Sequence, residues 1–278
     1  MLGAGTMGHG IAQVAAAAGY RVILRDVDQG AVERGLRAIE TNLEKGIARG
    51  KVTEEERGLA LGRISGATTL DGAAHADLFV EAVPERMDLK RETLRDVERV
   101  AAGREFVFAT NTSSLSITGI AAGAGRPERV VGMHFFNPVH IMRLVEIVVG
   151  ERTSGETVET VRAVVGRLGK EPITVKDVPG FASSRLGVAL GLEAMRMLEQ
   201  GVASAKDIDT AMELGYNHPM GPLRLTDLVG LDVRLSIAEY LHGALGSESF
   251  RPPEILRRMV AEGRLGRKSG RGFYEWND

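Results

Sequence analysis

Chemistry in this chain concentrates around one histidine and one carboxylate. An apolar run, Val130-Val131-Gly132-Met133, ends in His134; Phe135-Phe136-Asn137-Pro138 turns the chain; a second apolar run, Leu144 to Val149, carries Glu146 in its middle. Strand alternation places Leu144, Glu146 and Val148 on one face. If that face is buried, Glu146 must be paired or protonated, and His134 is the nearest candidate partner. A histidine at a strand's end, oriented by a buried carboxylate, is a general base held in one tautomer. The same residues also fit a plainer arrangement, in which His134 is a satisfied core histidine and Glu146 faces solvent from an edge strand. These residues alone do not choose between the two.

A second constellation opens the chain. Gly3-Ala4-Gly5-Thr6-Met7-Gly8 is a G-x-G-x-x-G, and Ile11, Val14, Ala15 and Ala18 follow at helical spacing. Tyr20 to Arg25 then reads as a strand ending in Asp26, about 18 residues beyond the last glycine, near the usual separation of the ribose-binding acid. In a dinucleotide-binding unit the glycines let the backbone approach a pyrophosphate, the helix N-terminus faces its charge, and the acid accepts hydrogen bonds from the adenosine ribose. The glycine loop alone is weak; with helix, strand and acid in register it outweighs a glycine-rich turn. Asp26 would repel a 2'-phosphate and so favours NAD, although Arg25 beside it weakens the preference. The strand ahead of Gly3 is reduced to Met1-Leu2, where about five residues are usual. We expect that strand to continue upstream of the recorded start, and its loss to leave backbone partners unpaired.

The elements that would position these groups follow from periodicity. Residues 28 to 49 form a long helix pattern, with Lys45, Arg49 and Lys51 near its end as a solvated face or a contact for a ligand's phosphate. Strands are expected at 63 to 65 and 77 to 83, the second leading through Pro84 into a helix holding Glu85 and Lys90. The strand 106 to 109 runs into Thr110-Asn111-Thr112-Ser113-Ser114, a polar cluster where a doubly wound sheet places its ligand crevice. Ser113 would equally serve as a helix cap. A helix near 155 to 168 and a strand at 172 to 175 complete an α/β, Rossmann-type domain over residues 1 to 178. From Pro179 onward the patterns are helical only: 181 to 200, 204 to 214, 222 to 229, 231 to 244 and 253 to 262, an all-α domain over 179 to 278. Its basic, aromatic tail, Gly266 to Trp276, is more easily explained if Phe273, Tyr274 and Trp276 dock than if it is solvated.

Composition narrows the partners. With 278 residues, a formal net charge of −2 and no basic run, neither nucleic acid nor an acidic membrane surface is expected as a main partner. No apolar stretch reaches about 18 residues and no charged leader precedes an apolar core, so we expect a soluble, cytoplasmic protein. The absence of cysteine excludes disulfides and thiolate chemistry, and the six histidines show no metal-ligand spacing, so no metal is expected.

Taken together, the chain resembles the 3-hydroxyacyl-CoA dehydrogenases, and within them the bacterial 3-hydroxybutyryl-CoA dehydrogenase branch. The likeness covers essentially the whole chain. Its markers are Gly3 to Gly8 with Asp26, Val80-Glu81-Ala82-Val83-Pro84-Glu85, Asn111-Thr112-Ser113-Ser114-Leu115, His134 to Pro138 with Glu146, Pro179-Gly180-Phe181, Asn217 to Pro222, and Gly266 to Gly272. The resemblance implies a reaction in which His134 takes the proton of a 3-hydroxyl while hydride passes from C3 to the nicotinamide of NAD. Glu146 would orient His134, and Ser113 would hydrogen-bond the C3 oxygen. The NAD contacts would come from Gly3, Gly5, Thr6, Met7, Gly8, Asp26, Glu85, Lys90, Ser113, Asn137 and Lys268, and the helical domain would form a homodimer.

One departure bears on the substrate. Many members of the family carry asparagine before the arginine that follows Pro-Gly-Phe, in contact with substrate; here Ser184 precedes Arg185. Serine reaches less far and lacks the carbonyl acceptor, which opens the acyl-chain preference. Rival readings are a free hydroxy-acid dehydrogenase of the 3-hydroxyisobutyrate or L-gulonate type, and a non-catalytic dinucleotide-binding protein on the same scaffold. The first hydroxy-acid type uses a lysine in its inter-domain helix, and residues 181 to 200 contain none. The gulonate type shares the histidine and glutamate, so substrate alone separates it. For an acyl-CoA substrate, Ser113 would meet the reacting oxygen and Lys45, Arg49 and Lys51 the phosphates.

Overall fold

Short β-branched and aromatic runs alternate with amphipathic ones through the first two-thirds of the chain, and strands alternate with helices accordingly. The computed structural model describes residues 1 to 276 and divides into two compact units, Met1–Val178 and the segment from Pro179 onward. In the first unit the order is α1 (Thr6–Ala17), β1 (Val22–Arg25), α2 (Gln29–Ala48), α3 (Glu54–Leu61), β2 (Ile64–Ala67), β3 (Leu78–Glu81), α4 (Met87–Ala101), β4 (Val107–Thr110), α5 (Ile117–Ala121), β5 (Val130–Phe135), β6 (Leu144–Val149), α6 (Gly155–Arg167) and β7 (Glu171–Lys176).

Strands β1 and β2 pair in parallel, and β3, β4, β5, β6 and β7 lie side by side in that order, parallel except for the β5–β6 pair. Leu2 bridges the two groups. Its N–H donates to the Val80 carbonyl at 2.8 Å and its carbonyl accepts from Ala82 at 2.7 Å, while Met1 and Gly3 exchange backbone bonds with Arg25 on the other side. Residues 1 to 3 thus supply part of the pairing between β1 and β3 that the sequence leaves in question. On one sheet face α6 packs Val158, Val161 and Val165 into the cluster of Val131, Met133, Phe135, Val145 and Ile147. Alternation turns His134 and Glu146 to the opposite face.

Three local expectations change. Helix α3 is absent from the periodicity reading; Thr53 caps it by accepting from Glu56 N–H at 3.1 Å, and the Glu56 carboxylate accepts from Thr53 N–H at 2.7 Å. Glu85 does not lie on a helix with Lys90: it stands in the loop before α4. Ser113 does not cap α5 either; Ser116 does, accepting from Gly119 N–H at 3.0 Å.

The second unit consists of α7 (Ser183–Glu199), α8 (Ala205–Gly215), α9 (Pro222–Val229), α10 (Leu231–Leu245) and α11 (Glu254–Ala261) around Val188, Leu192, Met195, Leu223, Leu231, Leu241 and Leu256. Its tail docks, and a buried acid holds it. The Asp227 carboxylate accepts from Phe273 N–H, Tyr274 N–H and the Trp276 indole, each at 2.9 Å. Asp209 accepts from the Leu223 and Arg224 amides and from the Tyr274 hydroxyl at 2.7 Å. Asp227→Ala removes one acceptor from three donors, a loss of roughly 3 kcal/mol. The melting temperature should fall by about 6 °C or more, measurable by calorimetry, with a smaller fall in Asp227→Asn.

Candidate active site

The β5–β6 register places His134 directly opposite Glu146. Because β6 lies between β5 and β7, Glu146 is on an interior strand and 0% exposed, which excludes the arrangement with a solvent-facing carboxylate. The His134 Nδ1–H donates to Glu146 Oε2 at 2.7 Å, and His134 is itself 7% exposed. A carboxylate can only accept, so this bond assigns the ring proton to Nδ1 and proton exchange to Nε2. Phe136 packs against the imidazole, ring centroids 4.6 Å apart. An imidazole so fixed can take a proton from an alcohol or return it to a ketone.

Strand β4 runs parallel beside β5, so the loop after Thr110 emerges at the same sheet edge as the end of β5. Asn111 joins them directly, its Oδ1 accepting from Phe135 N–H at 2.8 Å. One oxygen of Glu85 gathers the rest of this loop. Glu85 Oε1 accepts from the Thr112 hydroxyl at 2.5 Å, from Ser113 N–H at 2.9 Å, and from the Ser114 N–H and hydroxyl at 3.1 Å. Burial pushes the Glu85 carboxyl up, but the Thr112 hydroxyl, the Lys90 charge and the Ser113 amide outweigh it, so the group lies below the ordinary glutamate value.

Lys90 is 1% exposed, with its ammonium 2.8 Å from Glu81 and 3.2 Å from Glu85. A direct place along the cofactor path does not match this burial; Lys90 instead braces Glu85 from behind. Glu81 is fully buried and also accepts from the Thr110 hydroxyl and Val83 N–H, each at 2.7 Å. The sequence reading gave Glu81 no role, although an acid within an apolar run is the same signal that drew attention to Glu146.

The glycine loop has the shape of a pyrophosphate cradle. Gly3 has φ +96°, and a Cβ there would come within 2.6 Å of the Ala82 carbonyl. A Cβ on Gly8 would overlap the Gly3 carbonyl, whereas nothing stands within 4 Å of one on Gly5. Gly5 and Thr6 are exposed at the start of α1, with Met7 partly covered, so backbone N–H groups of a helix N-terminus face open space. At the end of β1 the Asp26 Oδ2 accepts from Ala4 N–H at 2.8 Å, which aims the carboxylate beside the loop. These residues fit NAD.

Asn137 is exposed directly after Phe136 and precedes a cis peptide to Pro138. Lys45 and Arg49 are one turn apart at the end of α2, with Lys51 just beyond, and all three are exposed. In the second unit Ser184 lies in the first turn of α7, and the Lys268 ammonium pairs with Asp232 at 2.6 Å. Among the described residues no group of three or more histidine, aspartate or glutamate side chains could hold a metal ion, and no helix is long and apolar enough to cross a membrane.

A family model described as 3-hydroxyacyl-CoA dehydrogenase, NAD binding domain, matches residues 1–178, and the corresponding C-terminal domain model matches residues 180–276. A probable 3-hydroxybutyryl-CoA dehydrogenase of Bacillus subtilis (strain 168) is 47% identical over 276 residues, 99% of this chain and 96% of that protein. The 3-hydroxybutyryl-CoA dehydrogenase of Bradyrhizobium diazoefficiens is 42% identical, covering 99% and 94%. The crystal structure of (S)-3-hydroxybutyryl-CoA dehydrogenase PaaH1 from Ralstonia eutropha superposes with a TM-score of 0.95 at 43% identity, covering 100% of this chain and 98% of that one.

Replacing His134 tests whether the pair does chemistry. His134→Ala should lower kcat roughly 10²- to 10⁴-fold while NADH affinity, followed by fluorescence titration, stays nearly constant. Activity retained within a few-fold would make His134 a core residue only.

Proposed function

The chain belongs to the 3-hydroxyacyl-CoA dehydrogenase family, and from that premise we propose that it interconverts short-chain (3S)-3-hydroxyacyl-CoA and 3-oxoacyl-CoA with NAD(H). The observation that carries the reading is the buried His134–Glu146 pair at the same sheet edge as the Ser113 loop, on a unit whose glycine cradle fits NAD.

NAD held in the glycine cradle would supply the acceptor for the hydride lost from C3 of the alcohol. His134 Nε2 accepts the hydroxyl proton as the C3–O bond becomes a carbonyl, and the same nitrogen returns it in reduction. Glu146 stabilises the imidazolium formed at that moment, since its carboxylate is buried and already aligned on Nδ1. Ser113, held by Glu85 through its backbone, donates its hydroxyl to the C3 oxygen and so fixes the angle of attack. Gly3, Gly5, Thr6, Met7 and Gly8 would hold the pyrophosphate, Asp26 the adenosine ribose, and Glu85, Asn137 and Lys268 would make the remaining cofactor contacts, with Lys90 acting through Glu85. Ser184 tunes the acyl preference.

Preference for a thioester over a free acid rests on the relatives named above and on Lys45, Arg49 and Lys51, exposed cations on one stretch that suit the nucleotide phosphates of CoA. Binding energy from that remote handle can be used to position C3. We assign the enzyme to the cytoplasm and to fatty-acid metabolism of the β-oxidation type, a reading supported by the names of its bacterial relatives. With NADH, acetoacetyl-CoA should turn over far faster than acetoacetate, and Arg49→Glu should raise KM for the thioester only. Equal activity on acetoacetate, or preference for L-gulonate, would overturn the thioester assignment and leave the dehydrogenase chemistry standing.

The second unit serves as the dimerisation domain. Leu186 is 71% exposed, and Leu225, Leu228, Val229 and Val233 are also exposed, whereas Met197 and Leu235 pack against the unit's own core. Apolar side chains left uncovered in such number are characteristic of a subunit interface. Light scattering should return a homodimer at micromolar concentration; a monomer would contradict this use of the surface.

A further inference from the structure

Lys170 is buried, 8% exposed, at the end of the three-residue link between α6 and β7, and no acidic side chain among the described residues pairs with it. Its ammonium instead donates to two backbone carbonyls of one turn, Val139 at 2.6 Å and Met142 at 2.7 Å. Such charge-assisted bonds are stronger than those between neutral groups. That turn connects the strand carrying His134 to the strand carrying Glu146. The Pro138 carbonyl closes it by accepting from Ile141 and Met142 N–H, at 3.0 and 2.9 Å.

The turn is also seated from its other side. The Val139 side chain is buried in the sheet's apolar cluster and lies where a Cβ on Gly10 of α1 would be, 2.9 Å away. Val139 is thus fixed twice, by its side chain against the helix that opens at the glycine cradle and by its carbonyl on Lys170. Asn137, the expected cofactor contact, is two residues upstream, and His134 three residues before that.

We propose that Lys170 is a positioning residue for the oxidoreductase reaction, its ammonium pinning residues 138 to 142 so that Asn137 and His134 keep one aim toward cofactor and substrate. Without it, two converging carbonyls lose their donor and the turn slackens. The sheet itself keeps its other ties, among them the β5–β6 register and the bond from Glu171 N–H to the Arg143 carbonyl at 2.9 Å. Misplacement of a catalytic group by about 1 Å can cost on the order of 10²-fold in rate, so the effect belongs in kcat rather than in substrate affinity.

The test compares Lys170→Met, Lys170→Arg and the wild type by steady-state kinetics with acetoacetyl-CoA and NADH, and by backbone amide exchange over residues 135 to 143. The kinetic arm rests on the acyl-CoA reading above; the exchange arm does not. Lys170→Met should lose roughly 10- to 100-fold in kcat, with KM within about threefold of wild type. Exchange over residues 139 to 143 should be faster, and Lys170→Arg, which can still bridge two carbonyls, should recover most of both. Should Lys170→Met not fold, Lys170→Gln takes its place beside Lys170→Arg with the same expectation. Wild-type kcat or unchanged exchange in the Met or Gln variant, whatever happens to the melting temperature, would show that Lys170 only packs the sheet. If wild type fails to reduce acetoacetyl-CoA, the substrate assignment falls, and exchange alone decides for or against the pin.

Discussion

A carboxylate with no solvent exposure, placed on an interior strand, constrains the first unit more than any other group. Glu146 has β5 on one side and β7 on the other, and an ionised carboxylate in such a place costs several kcal/mol unless it is hydrogen-bonded. The bond from His134 offsets that cost and makes use of it. A carboxylate kept dry remains a strong acceptor, and the imidazole that satisfies it has one orientation and one tautomer. The antiparallel register of β5 and β6 follows from the same need, since a slip of one residue would send Glu146 and His134 to opposite faces.

The same device recurs wherever the chain must hold a loop. Glu81, buried on β3, satisfies itself with Lys90, Thr110 and Val83, and Lys90 passes that order to Glu85, which arranges Ser113 and Ser114. Asp177 at the end of the first unit accepts from the Ser116 hydroxyl at 2.7 Å and from Thr118 N–H at 2.8 Å, fixing the start of α5. Asp227 does the same for the tail of the second unit. Each is an acid whose lone pairs are filled by donors from the loop or strand that it holds, so satisfying the carboxylate also defines the loop geometry.

What could be read from the sequence divides along that line. Helices and strands followed from apolar periodicity because side chains one face apart share one environment, and the glycine loop with Asp26 was legible because its glycines are dictated by close backbone approach. Helix α3 was not, since half of its residues are charged and Ala60 is its one buried residue; the Thr53 and Glu56 capping pair was its available signal. The roles of the charged residues were the least legible. Nothing in Glu81 or Lys90 taken singly tells that they neutralise each other in the interior, so Lys90 looked like a ligand contact. That Ser116 and not Ser113 caps α5 likewise turns on a start position three residues further on, a margin that periodicity does not resolve.

The tautomer of His134 is the most direct readout of this arrangement. Nitrogen-15 NMR of the two ring nitrogens, at a pH where the imidazole is neutral, distinguishes a proton on Nδ1 from one on Nε2. If Glu146 fixes the ring, wild type should carry the proton on Nδ1, and Glu146→Gln, whose amide can also donate, should lose that preference together with activity. A wild-type ring protonated on Nε2, or a tautomer unchanged by Glu146→Gln, would contradict the assignment of His134 as a general base oriented by a buried carboxylate.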